Sequence, residues 1–467
     1  MFAALAFLVF CVACAVLALT RHPVYGLYFY YATFYVHPPS RWWNYMLPDL
    51  RWSLLSAMVA VLAVTFHRGR LAPKPPWLAS GPAILLVMYA AWMWIQNLWA
   101  LDPVEHLEGS TKFVKYLIAF WLVYRVVDSK ENLRVVLFGH AAGCLILAVL
   151  AQLTGRSEGR LDGVGGPGLD EANTLAMYLA TGVVTMLGLL MTSIGWRRWV
   201  CLAMLVIIAN GFVLANSRGA FLGLGAGVLV LLLCKARAHR RAFWTLMLVG
   251  ALGASAIVDA TFVARMDTIG DVTSTSEDAD VSARSRMAIY EAQLRMAADY
   301  PLGAGFRGTV VLSRTYLDRR WLSWEQDGSA GRSSHNTVMT TLVEQGWPGF
   351  VMFVCLLGWI VLAILRVRRM NSRGVDPQVI TLAATCCASL SVVMVAGIGT
   401  DYLMAEVQFW LFGALVSALQ LGAALPAARP QTGAAMPLPP GGDRSLGDAT
   451  GPAPSVAPFG PVSGSRR

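Results

Sequence analysis

Residues 333–366 read SSHNTVMTTLVEQGWPGFVMFVCLLGWIVLAILR, a small-polar head that gives way to an uninterrupted apolar run from Pro348 to Leu365. That run is close to the ~20 apolar residues a membrane-spanning helix needs. Before it, from roughly Asp259 to Pro348, lies one long polar segment, and after it Arg366 opens a basic cluster that extends to Arg373. A polar loop, an apolar span and a basic stop, in that order, mark a membrane helix whose orientation is written in its flanking charges.

The pattern recurs along the chain. Of 467 residues, 56% are hydrophobic and 14% charged, with a mean hydropathy of +0.56, far from the roughly one quarter charged of a soluble domain. Apolar stretches fall at about 2–20, 24–37, 52–66, 82–100, 113–127, 134–153, 173–193, 199–214, 219–234, 243–258, 348–366, 379–399 and 403–424. These give twelve or thirteen spans, depending on whether the first two, which are short, form one hairpin. The expected fold is therefore an all-α polytopic membrane protein. It comprises an N-terminal transmembrane bundle (1–258), a large helical loop domain (259–347), C-terminal transmembrane helices (348–424) and a tail (425–467). The tail is rich in Pro, Gly and Ala and reads as a disordered cytoplasmic extension. The first stretch lacks a basic leader and runs straight into more apolar chain, so it reads as a retained span, not a signal peptide. All eight cysteines (Cys11, Cys14, Cys144, Cys201, Cys234, Cys355, Cys386, Cys387) fall inside spans, where they are expected to act as small core hydrophobes, not disulfides or metal ligands.

The net charge of +10 would suggest nucleic acid in a soluble protein, but its distribution excludes that. Basic clusters at His67-Arg68-Gly69-Arg70 with Lys74, at Arg197-Arg198, at Lys235 to Arg241 and at Arg366 to Arg373 all fall on one side when spans are counted. The positive-inside rule makes that side cytoplasmic. The opposite side, periplasmic in a bacterium with an outer membrane, receives the loops near 38–51, 101–112, 154–172, 215–218, 259–347 and 400–402.

The long polar segment holds nine arginines (Arg265, Arg284, Arg286, Arg295, Arg307, Arg314, Arg319, Arg320, Arg332), no lysine and a single histidine. Guanidinium forks suit phosphate and an imidazole suits proton transfer, although lysine is scarce throughout this chain. Ser282 to Tyr300 carries a helical pattern with Met287, Tyr290, Leu294 and Ala297 on one side, stopped by Pro301-Leu302-Gly303-Ala304-Gly305. A second helix is expected from about His335 into the next span, slackened at Gly346-Trp347-Pro348-Gly349.

Four features of this face have the chemistry to form one site. Gly159-Arg160-Leu161-Asp162-Gly163 leads through Gly165-Gly166-Pro167-Gly168 to Glu171-Ala172-Asn173. Ala215-Asn216-Ser217-Arg218-Gly219 is a tight turn that puts Arg218 within a helical turn of hydrocarbon on both sides, where a charge is expensive and usually functional. Arg284 and Arg286, two residues apart on a helix, are turned by about 200° from each other, so they cannot address one ligand. Arg286 shares a face with Tyr290, whereas Arg284 shares one with Ala288, Glu291 and Arg295, an ordinary salt-bridged surface. His335 stands at the mouth of a span, and its usual pKa near 6.5 suits a general base. A rival metal reading rests on Asp278 and Asp280 in Glu277-Asp278-Ala279-Asp280. Acidic residues there equally complement a helix N-terminus, and neither a metal nor another cofactor is expected.

His335-Asn336, then seven residues, Glu344-Gln345-Gly346 and Gly349 resembles the signature of the bacterial O-antigen ligase family, which shares its architecture with O-antigen polymerases and periplasmic protein O-oligosaccharyltransferases. Arg286 with Tyr290, and Tyr300-Pro301-Leu302-Gly303-Ala304-Gly305, look like the same family's arginine-aromatic helix and Pro-Gly turn. Ser217-Arg218-Gly219 and the Arg160 to Asn173 stretch are similar to two further family positions, and His37-Pro38-Pro39-Ser40-Arg41-Trp42 looks faintly like a subgroup associated with exosortase systems. Trp347-Pro348 departs from the family's usual aromatic-glycine pair, at the helix bend. The resemblance covers about Arg160 to Phe350. It implies a glycosyltransferase-C-like fold in the bacterial inner membrane and a metal-independent, inverting glycosyl transfer at the periplasmic face. The implied donor is a glycan on undecaprenyl diphosphate and the implied acceptor lipid A-core. It implies His335 as general base and Arg218, Arg286 and Arg160 at the diphosphate, with Arg284, Tyr290, Asn336 and Glu344 in supporting places. A polysaccharide polymerase or a protein O-oligosaccharyltransferase would keep this chemistry with another acceptor. A non-catalytic transporter of lipid-linked sugars fits less well, because its charges would be expected at mid-membrane.

Overall fold

A computed structural model describes residues 2–156, 161, 163–267, 277–324 and 330–424, with the side chains of 254–257, 264–265, 267, 277–286 and 324 outside that description. The expectations for Arg160, Asp162 and the 425–467 tail therefore lie outside the described residues, as do those for the side chains of Asp278, Asp280, Arg284 and Arg286. The helices are α1 (Phe2–Thr20), α2 (Val24–Val36), α3 (Trp52–Phe66), α4 (Gly81–Gln96), α5 (Pro103–Val126), α6 (Lys130–Thr154), α7 (Ala172–Thr192), α8 (Trp196–Ala215), α9 (Arg218–Cys234), α10 (Arg240–Ile257), α11 (Ala260–Asp267), α12 (Glu277–Asp299), α13 (Gly308–Tyr316), α14 (Thr337–Met370), α15 (Pro377–Ala396) and α16 (Glu406–Ala424). Each apolar stretch read from the sequence is helical, and among the described residues the one strand pair joins Ser323–Trp324 to Ala330–Gly331. Seven helices (α1, α6, α7, α8, α14, α15, α16) are individually long and apolar enough to cross a membrane, while α3 and α4 are shorter apolar helices and α9 and α10 pass together across a 119° bend. The chain is an all-α, multi-pass membrane protein.

The centre of the bundle is α7 and α15, buried over 94% and 89% of their apolar lengths, against 28% for the peripheral α1. Lipid tails are as apolar as leucine, so helices in a membrane associate through close packing and not through hydrophobic burial. Glycines supply that closeness here. Gly219, Gly223 and Gly227 recur every four residues on one face of α9, where added Cβ atoms would lie 3.4, 2.7 and 3.0 Å from the carbonyl oxygens of Ala396, Val392 and Ala388 on α15. This small-residue stripe seats the first turn of α9 directly against the end of α15, which is where Arg218 stands.

The segment between α11 and α14 has a small apolar core of its own, built from Ile289, Ala292, Met296, Leu312, Leu342 and Val343. α12 starts at Glu277, earlier than the sequence pattern suggests, since acidic residues suit a helix N-terminus. α13 is unheralded because Thr309-Val310-Val311 is β-branched and poor helix material; burial of Thr309 and Leu312 overrides that preference.

α14 breaks at Gly346 (φ 64°, ψ −169°), and the turn 301–305 fills the break. Ala304 N–H donates to Val343 O and Gly305 N–H to Glu344 O, each at 2.9 Å, and Trp347 N–H to Pro301 O at 2.9 Å. From α4, Gln96 Nε2 donates to Leu302 O and Glu344 O (2.9 and 3.0 Å) and Trp92 Nε1 to Gln345 O (2.7 Å). The Val343, Glu344 and Gln345 carbonyls at the kink thus each find a donor, as a buried helix break requires. Gly303 (φ 86°) and Gly346 meet backbone to backbone: a Cβ on Gly346 would lie 2.4 Å from Gly303 N.

Candidate functional site

At the end of the bundle opposite the basic clusters, three helix beginnings and one short loop come together. The loop is Gly397 to Tyr402, between α15 and α16. Thr337, the first residue of α14, ties into it three times: its N–H donates to Gly397 O (2.8 Å), its hydroxyl donates to Thr400 O (3.0 Å), and its Oγ1 accepts from Tyr402 N–H (2.8 Å). The Tyr402 hydroxyl donates to Asn173 O at the head of α7 (2.8 Å). Ser217, the N-cap of α9, donates to Asn173 Oδ1 (2.9 Å).

The expected residues fall around this loop as follows. Arg218 is the first residue of α9, half-buried, beside Gly219, which abuts Ala396 and Gly399. A cation at a helix N-terminus faces the positive end of the dipole, an arrangement that favours an arriving anion. Asn336 is the N-cap of α14: its Oδ1 accepts from Val338 N–H (2.9 Å) and Met339 N–H (3.2 Å). The cap moves the helix start to Thr337, two residues later than the sequence pattern suggests. His335 is thereby left outside the helix, exposed, with a left-handed φ of 51° and Nε2 3.2 Å from Ser333 Oγ. A histidine with positive φ is uncommon, and such strain clusters at functional sites. On α12, Tyr290 lies 3.5 Å from Asn336 Nδ2, with Arg286 one turn before it. The α12 helix therefore comes up to the same corner as His335.

Glu344, two turns along α14 from Thr337, lies within electrostatic reach of Asp401. It is buried, and its carboxylate faces the backbone N–H groups of Arg307 and Thr309 at the start of α13. Several of the loop arginines are likewise engaged structurally. Arg307 lies 3.8 Å from Glu105, Arg320 pairs with Asp318 at 3.1 Å, and Arg332 reaches Ser323 at 3.4 Å.

The glycine-rich stretch before α7 packs on the first outer loop. Arg41 donates to Val164 O (3.1 Å), and a Cβ on Gly166 would lie 2.2 Å from the His37 ring. Two residues escaped the sequence reading. Arg156, at the end of α6, donates to Leu214 O (2.9 Å) and Val213 O (2.8 Å) and pairs with Asp259, fastening α8 to the start of α11. Asp401 sits in the same Gly397 to Tyr402 loop, next to the Thr337 anchor. Its side chain is exposed at the surface, and desolvation by the protein packed around it pushes its carboxyl up to about 6. The only sequence signal for Asp401 was a lone carboxylate on the arginine-rich face.

No curated protein matches the chain. Residues 203–354 match a family model described as O-antigen ligase, and that window contains Arg218, Arg286, Tyr290, His335, Asn336 and Glu344 but neither Arg160 nor Asp401. Over residues 203–354 the chain carries the O-antigen ligase family domain.

Proposed function

We propose that the protein is an O-antigen ligase of the bacterial inner membrane, transferring a preassembled polysaccharide from undecaprenyl diphosphate to lipid A-core at the periplasmic face. The observation that carries this reading is the convergence of the α9 N-terminus with Arg218, the strained His335 turn and the Tyr290 face of α12 on the Gly397 to Tyr402 loop. His335 takes the proton from the acceptor hydroxyl as that oxygen attacks the anomeric carbon. The bond to the diphosphate breaks, and undecaprenyl diphosphate leaves with the bonding electrons. Arg218 and Arg286, with Arg160, hold the diphosphate and neutralise the charge it gains. Attack opposite the leaving group inverts the anomeric centre, and arginine does the work a divalent ion would otherwise do. A diphosphate carried at the outer leaflet needs cations close to hydrocarbon, which is where Arg218 stands.

The test is reconstitution of the full chain with undecaprenyl-diphosphate-linked polysaccharide and lipid A-core, with and without EDTA. The expected result is glycan on lipid A-core in both arms. Lengthened donor without lipid A-core product would replace the ligase with a polymerase, and complete loss in EDTA restored by magnesium or manganese would overturn the metal-independent mechanism.

A further inference from the structure

At the opposite, basic end, the 119° bend between α9 and α10 encloses a pocket of about 390 Å³ lined by Lys235, Arg237, Arg240 and Arg368 together with Leu232, Leu233, Trp244 and Asn371. Its walls are fixed. Asn371, at the end of α14, accepts from Arg237 N–H (3.0 Å) and donates to Lys235 O (3.3 Å). Across the bend, Thr381 Oγ1 accepts from Ala236 N–H (3.2 Å) and lies 2.8 Å from His239 Nδ1. Among the described residues none of the four cations is ion-paired; Lys235, only 8% exposed, donates to Leu232 O (3.0 Å) and lies over the Phe243 ring, while the three arginines line the pocket without a carboxylate partner. Four cations in one small cavity repel one another and leave a demand for negative charge. Apart from Asn371 the remaining lining is apolar, with Leu233 and Trp244 exposed. Beyond the pocket, α10 presents an exposed apolar row of Leu248, Val249 and Leu252. The cavity is therefore polar and cationic on one side and opens onto hydrocarbon on the other.

We propose that this pocket binds the headgroup of an anionic glycerophospholipid. The phosphodiester lies among Lys235, Arg237, Arg240 and Arg368, and the acyl chains run along Leu232, Leu233 and Trp244. Basic pockets between membrane helices at the cytoplasmic face bind such headgroups generally, and guanidinium forks match phosphate oxygens. A soluble phosphate would satisfy the cations but leave Leu233 and Trp244 without a partner. The bound lipid would brace the α9–α10 bend and so the seating of α9 against α15. The assignment to the cytoplasmic leaflet rests on the topology proposed above; the binding itself does not.

The experiment compares purified full-length protein in nanodiscs of phosphatidylcholine alone and with phosphatidylglycerol or cardiolipin, reading the unfolding temperature, and counts retained lipid by native mass spectrometry. The anionic lipids are expected to raise the unfolding temperature and to be retained in detergent, whereas inorganic phosphate at millimolar concentration does neither. Arg237→Gln with Arg240→Gln removes two exposed cations and should lower retention roughly thirtyfold, since each cation near a lipid phosphate contributes about 1 kcal/mol. Arg197→Gln with Arg198→Gln, an equal loss of charge at the same end of the bundle outside the pocket, should leave retention unchanged. Equal loss in both double variants would reduce the effect to diffuse attraction and overturn the site. Stabilisation by phosphate alone would make it a soluble-anion site and overturn the lipid. Should the double variant fold poorly, Arg237→Lys with Arg240→Lys keeps the charge but loses the forks; reduced retention in the folded protein is then expected, and parental retention would overturn recognition by the guanidinium groups. Glycan transfer is not read here, so failure leaves the ligase reading untouched.

Discussion

His335 is held in a left-handed turn between Ser334 and the Asn336 cap, so its backbone and its imidazole are separable by mutation. Asparagine tolerates left-handed φ, so His335→Asn keeps the turn and removes the base. Its turnover is expected to fall by roughly two to four orders of magnitude, the usual worth of general acid–base catalysis, with donor binding largely retained. Near-normal transfer by well-folded His335→Asn would leave proximity and electrostatics as the whole mechanism. Arg218→Lys keeps a charge at the head of α9 but loses the planar fork, so both donor affinity and turnover should drop if the diphosphate is held by paired donors. Arg284→Ala serves as the mild control, and a lysine variant as active as the parent would reduce Arg218 to a point charge. Asp401 supplies a pH dependence. Its carboxyl is raised from 3.8 to about 6 by desolvation, so the folded state prefers the neutral acid, and this contribution to stability is full below about pH 4 and lost as pH climbs through about 6. Thermal unfolding of the parent should therefore weaken across that window more than that of Asp401→Asn; parallel curves would remove the assignment. His335 and Arg218 were legible because each breaks a local rule, an imidazole at a span mouth and a charge between two spans. Asp401 was not, because its significance comes from the hydrogen bonds that bring its loop to Thr337, and those join residues more than sixty positions apart.

Elements set where these residues stand, and the decisive one is α14 with its break. Gly346-Trp347-Pro348-Gly349 announced a bend, since glycine and proline both weaken a helix, and Pro301 to Gly305 announced a turn. That the two features serve each other was not legible. A donor-rich turn and an acceptor-rich kink look like separate breakers until Gly303 and Gly346 are seen in backbone contact. Gly346→Ala should therefore damage the protein twice, by strain at φ 64° and by a Cβ 2.4 Å from Gly303 N, lowering stability by on the order of 2 kcal/mol or more. Gly358→Ala, in the same helix with nothing within 4 Å of the added carbon, should be harmless. The comparison is read as unfolding temperature in one detergent, and equal behaviour of the two variants would show that the kink does not depend on that contact. α10 gave the opposite lesson. Its apolar count predicted an ordinary span, but the 119° bend from α9 is set by Asn371 and Thr381 on other helices, which periodicity within α10 cannot reveal.

At the scale of the whole molecule, the chain separates its chemistry by face. Basic clusters including the α9–α10 pocket occupy one end, and Arg218, His335 and the α12 to α14 segment occupy the other. This separation was legible from the sequence because hydrophobic runs alternate the faces and the charges between runs fall consistently on one of them. Which end meets which compartment follows from that rule alone, so it calls for a direct measurement. Ser323, exposed in the loop domain, and Ser372, exposed after α14, each lie in a polar segment outside the proposed site. Seven of the eight native thiols are buried and the exposed Cys355 lies within the apolar half of α14, so the parent should give little background with a charged, membrane-impermeant maleimide. In intact spheroplasts Ser323→Cys is expected to react and Ser372→Cys to stay unlabelled until the membrane is permeabilised. The reverse result would put His335 in the cytoplasm, where lipid A-core after its export is out of reach, and would sink the ligase reading together with the topology. Labelling of both sites in intact spheroplasts would mean that the basic end is not retained inside, and the positive-inside argument would fail for this chain.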